Sequence, residues 1–337
     1  MTELAPNSEL AIDARNLVKE FRSVTAVNDV SLQVAKGEVF GLVGPDGAGK
    51  STLIRMLATT LLPTSGDAYI FGKSVLSQPH DVKPRIGYMS QAFSLYGDLT
   101  VAENLRFFAE VRGVPRRDLA ARSARLLEFS GLTEFSKRQA RYLSGGMKQK
   151  LALAATLISE PDLLFLDEPT TGVDPVSRRE FWRIISDLHR QGITVFVATP
   201  YMDEADRCNE IAFMTQGDII LRDTPAGMKR RVPGRILEVA LSNYREAMPL
   251  VRSLPYVKSL EVSGEVLRVL IAREEEVPDA EGQLVAALSA AGFNVEHVRS
   301  APTDLEMAFA TLIPTAGAAV VDADADADAE DILAVAE

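Results

Sequence analysis

The segment GPDGAGKS at residues 44–51 has residue types and spacing that bind phosphate, because it matches the pattern G-x-x-x-x-G-K-[ST]. Gly47 and Gly49 allow the backbone to curl so that its N–H groups face a polyphosphate. In this pattern the Lys50 ammonium reaches the β- and γ-phosphates, and the Ser51 hydroxyl is a ligand of Mg²⁺. Chance matches are common in isolation, but here a strand-like stretch precedes the loop and a helical one follows it, which is the context that phosphate binding requires.

A second candidate for chemistry is the carboxylate pair that ends the apolar segment DLLFLDEP at residues 162–169. Side chains alternate along a strand, so Asp167 and Glu168 point in different directions and can have different roles. Asp167 is suited to the Mg²⁺ shell, and Glu168 to taking a proton from a water that attacks the γ-phosphate. A solvated acidic loop is the alternative, but the apolar run before these acids and Pro169 directly after them favour a buried strand that stops here.

The segment LSGGMKQK at residues 143–150 has the composition of a helix start that binds an anion. Ser144 can cap the helix, and Gly145 and Gly146 allow close backbone approach. The free N–H groups of a helix N-terminus attract negative charge. Alone, the sequence SGG is also an ordinary turn before a helix.

The segment VFVATPYMDEADR at residues 195–207 is a strand that ends without an obvious reactive side chain. Thr199 is predicted to cap the following helix, with Pro200 in its first position, where the missing N–H is tolerated. Asp203 and Glu204 then lie near the positive end of the helix dipole. Open α/β proteins place the residues that act on a ligand at the carboxyl ends of strands. A strand that ends there without a reactive side chain is therefore unexpected.

These segments lie on a chain whose pattern is mostly α/β. Short β-like runs fill residues 9–44, and strands alternate with helices from about 44 to 220, which predicts a mostly parallel sheet covered by helices. Residues 93–140 break this rhythm with two helical stretches and no strand between them, which indicates a helical insert.

A second domain is predicted after the segment DTPAGMKRRVPGR at residues 223–235, which is typical of a boundary. Residues 235–312 have the order βαββαβ, which predicts a small ferredoxin-like α+β domain. Residues 313–337 include the low-complexity acidic run DADADADADAE and are predicted to be disordered.

Composition excludes several classes of protein. The net charge is −11, from 36 basic and 47 acidic residues, and residues 322–337 hold seven acids and no base, so no basic surface for nucleic acid is expected. A single cysteine, Cys208, excludes an intrachain disulfide and a cysteine-rich metal site, and fits a reducing compartment. The first residues lack the pattern of a secretory signal, and no apolar run is long enough for a membrane span.

Taken in chain order, the segments GPDGAGKS, YMSQ, LSGGM, LLFLDE and TGVD resemble the nucleotide-binding subunits of ATP-binding-cassette (ABC) transporters. The resemblance covers residues 9–230. It implies a P-loop NTPase core of ABC type, in the α/β class, with an antiparallel β subdomain and a helical insert at about residues 93–157. ATP and Mg²⁺ are the implied cofactors, and ATP hydrolysis coupled to transport is the implied activity.

The resemblance also implies roles for individual residues. Phe21 stacks on the adenine, Gln91 joins Mg²⁺ to the helical insert and so to a membrane partner, and Asp174 lies in the loop that couples two sites. Glu168 and Lys50 are the implied catalytic residues, and Ser51, Gln91 and Asp167 the implied metal ligands. The remaining implied nucleotide contacts come from two segments. One is the phosphate-binding loop (Gly44, Pro45, Asp46, Gly47, Ala48, Gly49, Lys50, Ser51, Thr52), and the other is the family's signature segment (Leu143, Ser144, Gly145, Gly146, Met147). The signature contacts the nucleotide of the opposite subunit, and here it has Met147 where glutamine is commoner.

Three longer segments, LVGPDGAGKST, RIGYMSQAFSLYGDLTVAENL and TPYMDEADRC, are similar to the export-type cassettes of drug-efflux systems. The βαββαβ unit followed by APTDLEMAFATL resembles the appendage of that branch. The implied partners are integral-membrane permease subunits and a second cassette, at the cytoplasmic face of the cell membrane, without nucleic acid. An importer subunit and a soluble ABC-family ATPase are the alternatives.

One position departs from the family pattern. The family has a histidine at the end of this strand that contacts the γ-phosphate, and the alignment of ATPYMDEA places Pro200 there. The three histidines of the chain lie elsewhere: His80 in a predicted loop before Gln91, His189 on a predicted helix, and His297 in the second domain. Three interpretations stay open. The site is slow and pairs with a histidine-bearing cassette, the Tyr201 phenol partly substitutes for the histidine, or Glu168 supports turnover alone. We favour the first, and so a heterodimer over a homodimer.

Overall fold

The computed structural model describes residues 9–91, 95–273 and 276–313. The chain forms two compact units, the first ending at Thr224 and the second beginning at Pro225. This division falls inside the segment 223–235 that the sequence marks as a boundary, a few residues before the predicted domain end at 230. The predicted acidic tail at 313–337 lies outside the described residues except for Ile313.

The first unit contains ten strands and seven α-helices among the described residues. The strands are β1 (Leu10–Phe21), β2 (Val24–Ala35), β3 (Val39–Val43), β4 (Ser65–Ile70), β5 (Lys73–Ser74), β6 (Ile86–Met89), β7 (Leu163–Asp167), β8 (Thr194–Thr199), β9 (Glu210–Thr215) and β10 (Asp218–Asp223). The helices are α1 (Lys50–Leu57), α2 (Pro79–Val82), α3 (Val101–Val111), α4 (Arg116–Phe129), α5 (Gly145–Leu157), α6 (Pro175–Arg190) and α7 (Met202–Ala205).

The central sheet has the order β10-β9-β3-β8-β7-β6 and is parallel except for β10. Every residue of β3, β7 and β8 is buried, as expected for parallel strands covered on both faces. Phe40, Phe196 and Phe165 are register partners on these three strands, and their rings lie 5.2 Å and 5.8 Å apart between centroids. These contacts fix the register of the strands that carry the site.

An antiparallel sheet of order β2-β1-β4-β5 shares one hydrophobic core with the central sheet and α1. The predicted antiparallel β subdomain is therefore confirmed.

The helical insert lies between β6 and β7 and contains α3, α4 and α5. Thr100 and Glu103 form a capping box at the start of α3, which stabilises the first turn. The fully buried Asn104 accepts from the Tyr96 amide at 2.9 Å and donates to the Tyr96 carbonyl at 3.0 Å, so it fastens the preceding loop to α3. The predicted helical insert is present.

The second unit contains four strands and four helices among its described residues. They are α8 (Pro225–Arg231), β11 (Arg235–Leu241), α9 (Tyr244–Ser253), β12 (Val257–Ser263), β13 (Val266–Ile271), α10 (Ala280–Ala290), β14 (Val295–Ala301) and α11 (Leu305–Leu312). The order from β11 to β14 is βαββαβ, and the antiparallel sheet has the order β12-β13-β11-β14 over its own core. The ferredoxin-like class remains an interpretation that rests on this order.

One face of the second sheet carries a row of alternating charges. Arg299, Glu238, Arg268 and Glu261 are register partners across all four strands. Arg299 Nε donates to Glu238 at 2.7 Å, and the Arg268 guanidinium contacts Asp304 at the start of α11. Opposite charges directly across strands stabilise a sheet, so this face is ordered by ion pairs.

Candidate nucleotide-binding site

Strand register brings the predicted site residues to one edge of the central sheet. Val43 at the end of β3 pairs with Thr199 at the end of β8, and Asp167 at the end of β7 pairs with Ala198. The phosphate-binding loop leaves β3 at this edge and enters α1 at Lys50. The carboxyl ends of parallel strands thus gather the loop and both carboxylates in one place.

The phosphate-binding loop curls in the way that its glycines allow. Gly47 and Gly49 have φ values of +74° and +101°, which residues with side chains rarely adopt. The buried Lys50 folds back over the loop, and its Nζ donates to the carbonyls of Gly44 and Pro45, each at 2.9 Å. The ammonium is therefore centred on the loop by the loop's own backbone.

Ser51 and Asp167 form the next part of the site. The Ser51 hydroxyl donates to Asp167 Oδ1 at 2.9 Å. Burial raises the pKa of Asp167 to about 6, against the effects of the Ser51 hydrogen bond and of Lys50. A hydroxyl and a buried carboxylate are hard oxygen ligands of the kind that Mg²⁺ prefers, and a divalent cation would offset the cost of burying this charge. These residues fit the predicted metal.

Glu168 is held by three side chains around its carboxylate. Lys50 Nζ lies 3.3 Å from Oε1, while Gln91 Nε2 and the Thr171 hydroxyl donate to Oε2 at 3.1 Å and 3.2 Å. The backbone of Glu168 is left-handed, with φ +46°, and its N–H donates to the Ala198 carbonyl at 2.9 Å. A left-handed glutamate is strained, so the surrounding bonds determine where this carboxylate lies.

The end of β8 differs from the predicted cap. Helix α7 begins at Met202 with Tyr201 at the N-cap, so the prediction that Thr199 is the N-cap is wrong. The Thr199 hydroxyl accepts from the Tyr201 N–H at 3.1 Å and donates to Glu204 at 2.7 Å. The helix starts two residues later than the sequence indicates, and the Thr199 hydroxyl bonds within the turn that precedes it.

The signature begins helix α5 as predicted. Ser144 is the N-cap and accepts from the Met147 N–H at 3.3 Å. A Cβ on Gly146 would lie 2.4 Å from the Cβ of Ser177 on α6, whereas a Cβ on Gly145 would meet only the Gly172 carbonyl, at 3.9 Å. Gly146 is thus required by packing inside this chain, and Gly145 is not.

The remaining predicted residues lie at several places in the first unit. Asp174 caps α6 by accepting from the Val176 and Ser177 N–H groups, and these hydrogen bonds lower its pKa. Phe21 ends β1, half-buried, with Lys19 Nζ 4.8 Å from its ring centroid. In the phosphate-binding loop, Ala48 is buried, Thr52 is half-buried, and Pro45 and Asp46 are exposed.

The histidines do not supply the expected contact at the end of β8. His80 lies on α2 rather than in a loop, His189 on α6, and His297 on β14 of the second unit. Among the described residues, the side-chain hydrogen bonds of Glu168 come from Gln91 and Thr171, and none from a histidine.

Some residues of the site are not evident in the sequence patterns. Thr171 bonds to Glu168, and Thr170 donates to the buried Glu204. The available signal for the threonines is their position two and three residues after Glu168, in the turn that follows β7 at the same edge of the sheet.

Comparison with known proteins identifies the family. A model of the ABC transporter family matches residues 27–171. The daunorubicin/doxorubicin resistance ATP-binding protein DrrA of Streptomyces peucetius is 41% identical over 232 residues, which cover 68% of this chain and 70% of DrrA. The chain therefore belongs to the ABC transporter family and contains its ATP-binding domain.

Other relatives differ in how much of each protein is aligned. The probable multidrug ABC transporter ATP-binding protein YbhF of Escherichia coli is 45% identical over 221 residues, which cover 66% of this chain but only 38% of YbhF. The linearmycin resistance ATP-binding protein LnrL of Bacillus subtilis is 34% identical over 306 residues, which cover 89% of this chain and 97% of LnrL. An alignment of 306 residues is longer than the first unit, so this similarity continues into the second.

Solved structures match about two thirds of the chain. The ABC transporter subunit cbiO1 of Clostridium perfringens has a TM-score of 0.61 at 26% identity, covering 66% of this chain and 92% of that one. A bacterial ABC transporter cassette solved as a dimer, MJ0796, has a TM-score of 0.59 at 25% identity, covering 63% and 98%. The predicted fold class of the core is confirmed.

Proposed function

We propose that this chain binds and hydrolyses ATP as the energy-coupling subunit of an ABC exporter. The observation that carries the proposal is the joint placement of Lys50, Ser51, Gln91, Asp167 and Glu168 at one sheet edge, linked by contacts of 2.9–3.3 Å. The names of the relatives, which refer to multidrug transport and to resistance to daunorubicin, doxorubicin and linearmycin, favour export of a small molecule.

In this proposal each residue acts on the triphosphate of ATP. The loop N–H groups and Lys50 bind the β- and γ-phosphates, displacing the Gly44 and Pro45 carbonyls from the ammonium. Ser51, Asp167 and Gln91 would hold Mg²⁺, which neutralises phosphate charge when bound. Glu168 orients the attacking water and accepts its proton, and Gln91 and Thr171 keep that carboxylate at the phosphate side of the sheet.

We infer that a second cassette completes the site. The open space at Gly145 leaves room for a phosphate of another subunit at the start of α5, where N–H groups favour an anion. Pro200 supplies no side-chain donor, so a histidine-bearing partner is favoured over an identical one. Losing one oriented donor from an oxyanion-hole-type site commonly reduces kcat by about 10²–10³-fold.

We infer that the permease binds the helical insert. Tyr142, Tyr96 and Val111 are large apolar side chains of the insert with 67%, 48% and 66% of their surface exposed. Exposed aromatic residues are typical of protein interfaces. Binding there would hold the chain at the cytoplasmic face of the membrane. Among the helices of the described residues, none is long and apolar enough to cross a membrane.

The ATPase proposal is tested with the purified chain and Mg–ATP. We expect slow hydrolysis by the natural chain, none by Glu168→Gln with ATP binding retained, and no change in Glu128→Gln, an exposed control on α4. Absence of ATP binding in the natural chain would overturn the proposal.

The partner proposal is tested with Pro200→His. We expect hydrolysis to rise by up to roughly 100-fold, because an oriented donor is restored. An unchanged rate in a folded variant would contradict a slow site.

The permease proposal is tested by capture from detergent-solubilised membranes. Serine at both Tyr96 and Tyr142 should abolish capture of a multispan protein, while Val262→Ser, at an exposed position in the second unit, should not. Equal capture by all variants would place the interface elsewhere.

A further inference from the structure

Glu204 is a buried carboxylate that the proposed mechanism does not use. It has no exposed surface, and its two oxygens accept from different strand ends. The Thr170 hydroxyl donates to Oε1, and the Thr199 hydroxyl donates to Oε2 at 2.7 Å. Arg178 Nε lies 3.7 Å from Oε1. A buried carboxylate is tolerated only with such partners, so these contacts are strongly specified.

The two threonines belong to the segments that flank the candidate general base. Thr170 follows Glu168 by two residues, in the turn after β7, and Thr199 ends β8. The Glu168 N–H also reaches β8, through the Ala198 carbonyl. Glu204 therefore adds a side-chain link between two segments that this backbone bond already joins.

The turn after β7 needs external support. Glu168 has φ +46°, a conformation that costs free energy in a residue with a side chain. Within the turn, Thr171 N–H donates to the Glu168 carbonyl at 3.2 Å and Val173 N–H to the Thr170 carbonyl at 3.1 Å. These local bonds are of ordinary length, and the buried, charge-assisted bond from Thr170 to Glu204 is a stronger restraint from outside the turn.

Arg178 extends the restraint to helix α6. Its guanidinium lies 4.0 Å from the centroid of the Tyr201 ring and 3.7 Å from Asp203. Tyr201 follows Pro200, so the segment that carries the departure from the family pattern packs on the same arginine. The Glu204 carboxylate is thus the point where β7, β8 and α6 are joined.

We propose that Glu204 is a positioning residue for Glu168. Through Thr170 it fixes the left-handed turn, and so keeps the Glu168 carboxylate between Lys50, Gln91 and Thr171. This inference rests on the proposed ATPase function for its kinetic consequence, but not for its structural one. Glu204 itself does not touch the nucleotide.

Hydrogen exchange of the nucleotide-free chain tests the structural part. In Thr170→Val, and in Glu204→Gln, amides of residues 167–173 should exchange at least roughly tenfold faster, because a buried charge-assisted hydrogen bond is lost. Amides of α1 should be unchanged, and Thr170→Ser should restore slow exchange. Unchanged exchange in 167–173, or equal acceleration in α1, would overturn the proposal.

Steady-state kinetics separates positioning from general stability. We expect kcat to fall at least roughly tenfold in Thr170→Val with KM for ATP within about twofold, and kcat to return in Thr170→Ser. The double variant Thr170→Val with Glu204→Gln should lose no more than Glu204→Gln alone, since the Thr170 hydroxyl acts through its bond to Glu204. Glu128→Gln, at an exposed position on α4 outside these contacts, is the control and should keep full activity.

Additive losses in the double variant would overturn the proposal, as would a fall in kcat that Thr170→Ser does not reverse. If the natural chain hydrolyses no ATP, the proposed function fails, and the exchange measurement alone decides whether Glu204 positions the turn.

Discussion

Replacing Asp167 by asparagine should stabilise the nucleotide-free chain while weakening its response to Mg–ATP. Burial raises the Asp167 pKa to about 6, from 3.8 for an ordinary aspartate. Since the folded-state pKa is the higher one, the folded chain holds the proton more tightly, and stability falls as pH rises from about 4 to 6. The difference corresponds to a cost of about 3 kcal/mol at pH 8 and about half of that at pH 5.

Asparagine removes this cost, because it is uncharged and its oxygen can still accept from Ser51. Trp182 is the single tryptophan of the chain, lies buried on α6, and so reports unfolding of the first unit by fluorescence. Urea titrations should show the variant about 3 kcal/mol more stable than the natural chain at pH 8, and about 1.5 kcal/mol more stable at pH 5.

Two further measurements make the experiment decisive. Glu128→Gln, at an exposed position, should change stability by less than about 0.5 kcal/mol at either pH. Added Mg–ATP should stabilise the natural chain more than the variant, because the variant lacks a metal ligand. A variant that gains nothing at pH 8, or gains equally at both pH values, would refute the assignment of the cost to a buried charge.

Three other predictions concern single contacts. Gly146→Ala should destabilise the first unit by about 1–3 kcal/mol, since the new Cβ lies 2.4 Å from the Cβ of Ser177. Adding Ser177→Gly should restore the lost stability, whereas adding Ser177→Ala should not, because alanine keeps the Cβ. Urea titration followed by tryptophan fluorescence measures both effects. Cys208 is buried, and burial raises the pKa of its thiol. Iodoacetamide at pH 8 should therefore modify the native chain far more slowly than the urea-unfolded chain, as measured by mass spectrometry. Equal rates would contradict the burial. Arg268→Met should destabilise the second unit by about 1–3 kcal/mol, because it leaves Asp304 without its cation while Glu238 keeps only Arg299. The exposed Arg252→Met should not destabilise it, and hydrogen exchange in β11 and β13 distinguishes the two variants.

The sequence predicts the phosphate side of the site well because its signals are local. The spacing of Lys50 and Ser51 within a glycine-rich loop, and the position of Asp167 at the end of an apolar run, each depend on a few adjacent residues. Strand register then places them together, as parallel pairing requires. The cap of α5 by Ser144 is equally local, and the structure contains it.

The contacts of Glu204 could not be predicted in this way. By its position it is an acid in the first turn of a helix, which normally faces solvent. Its burial depends on Thr170, which is 34 residues away in the chain, and on a helix of only four residues. Nothing in the local pattern distinguishes it from the exposed Asp203 beside it.

The left-handed backbone of Glu168 has a consequence for how such sites change over generations. At this position glycine or asparagine would relieve backbone strain, so a substitution that abolishes the carboxylate also makes the chain easier to fold. Random mutation is therefore biased toward stable cassettes that have lost their base, and only selection for turnover opposes that drift. In an assembly of two cassettes, one unstrained copy could persist as a structural partner for as long as the other still hydrolyses its nucleotide.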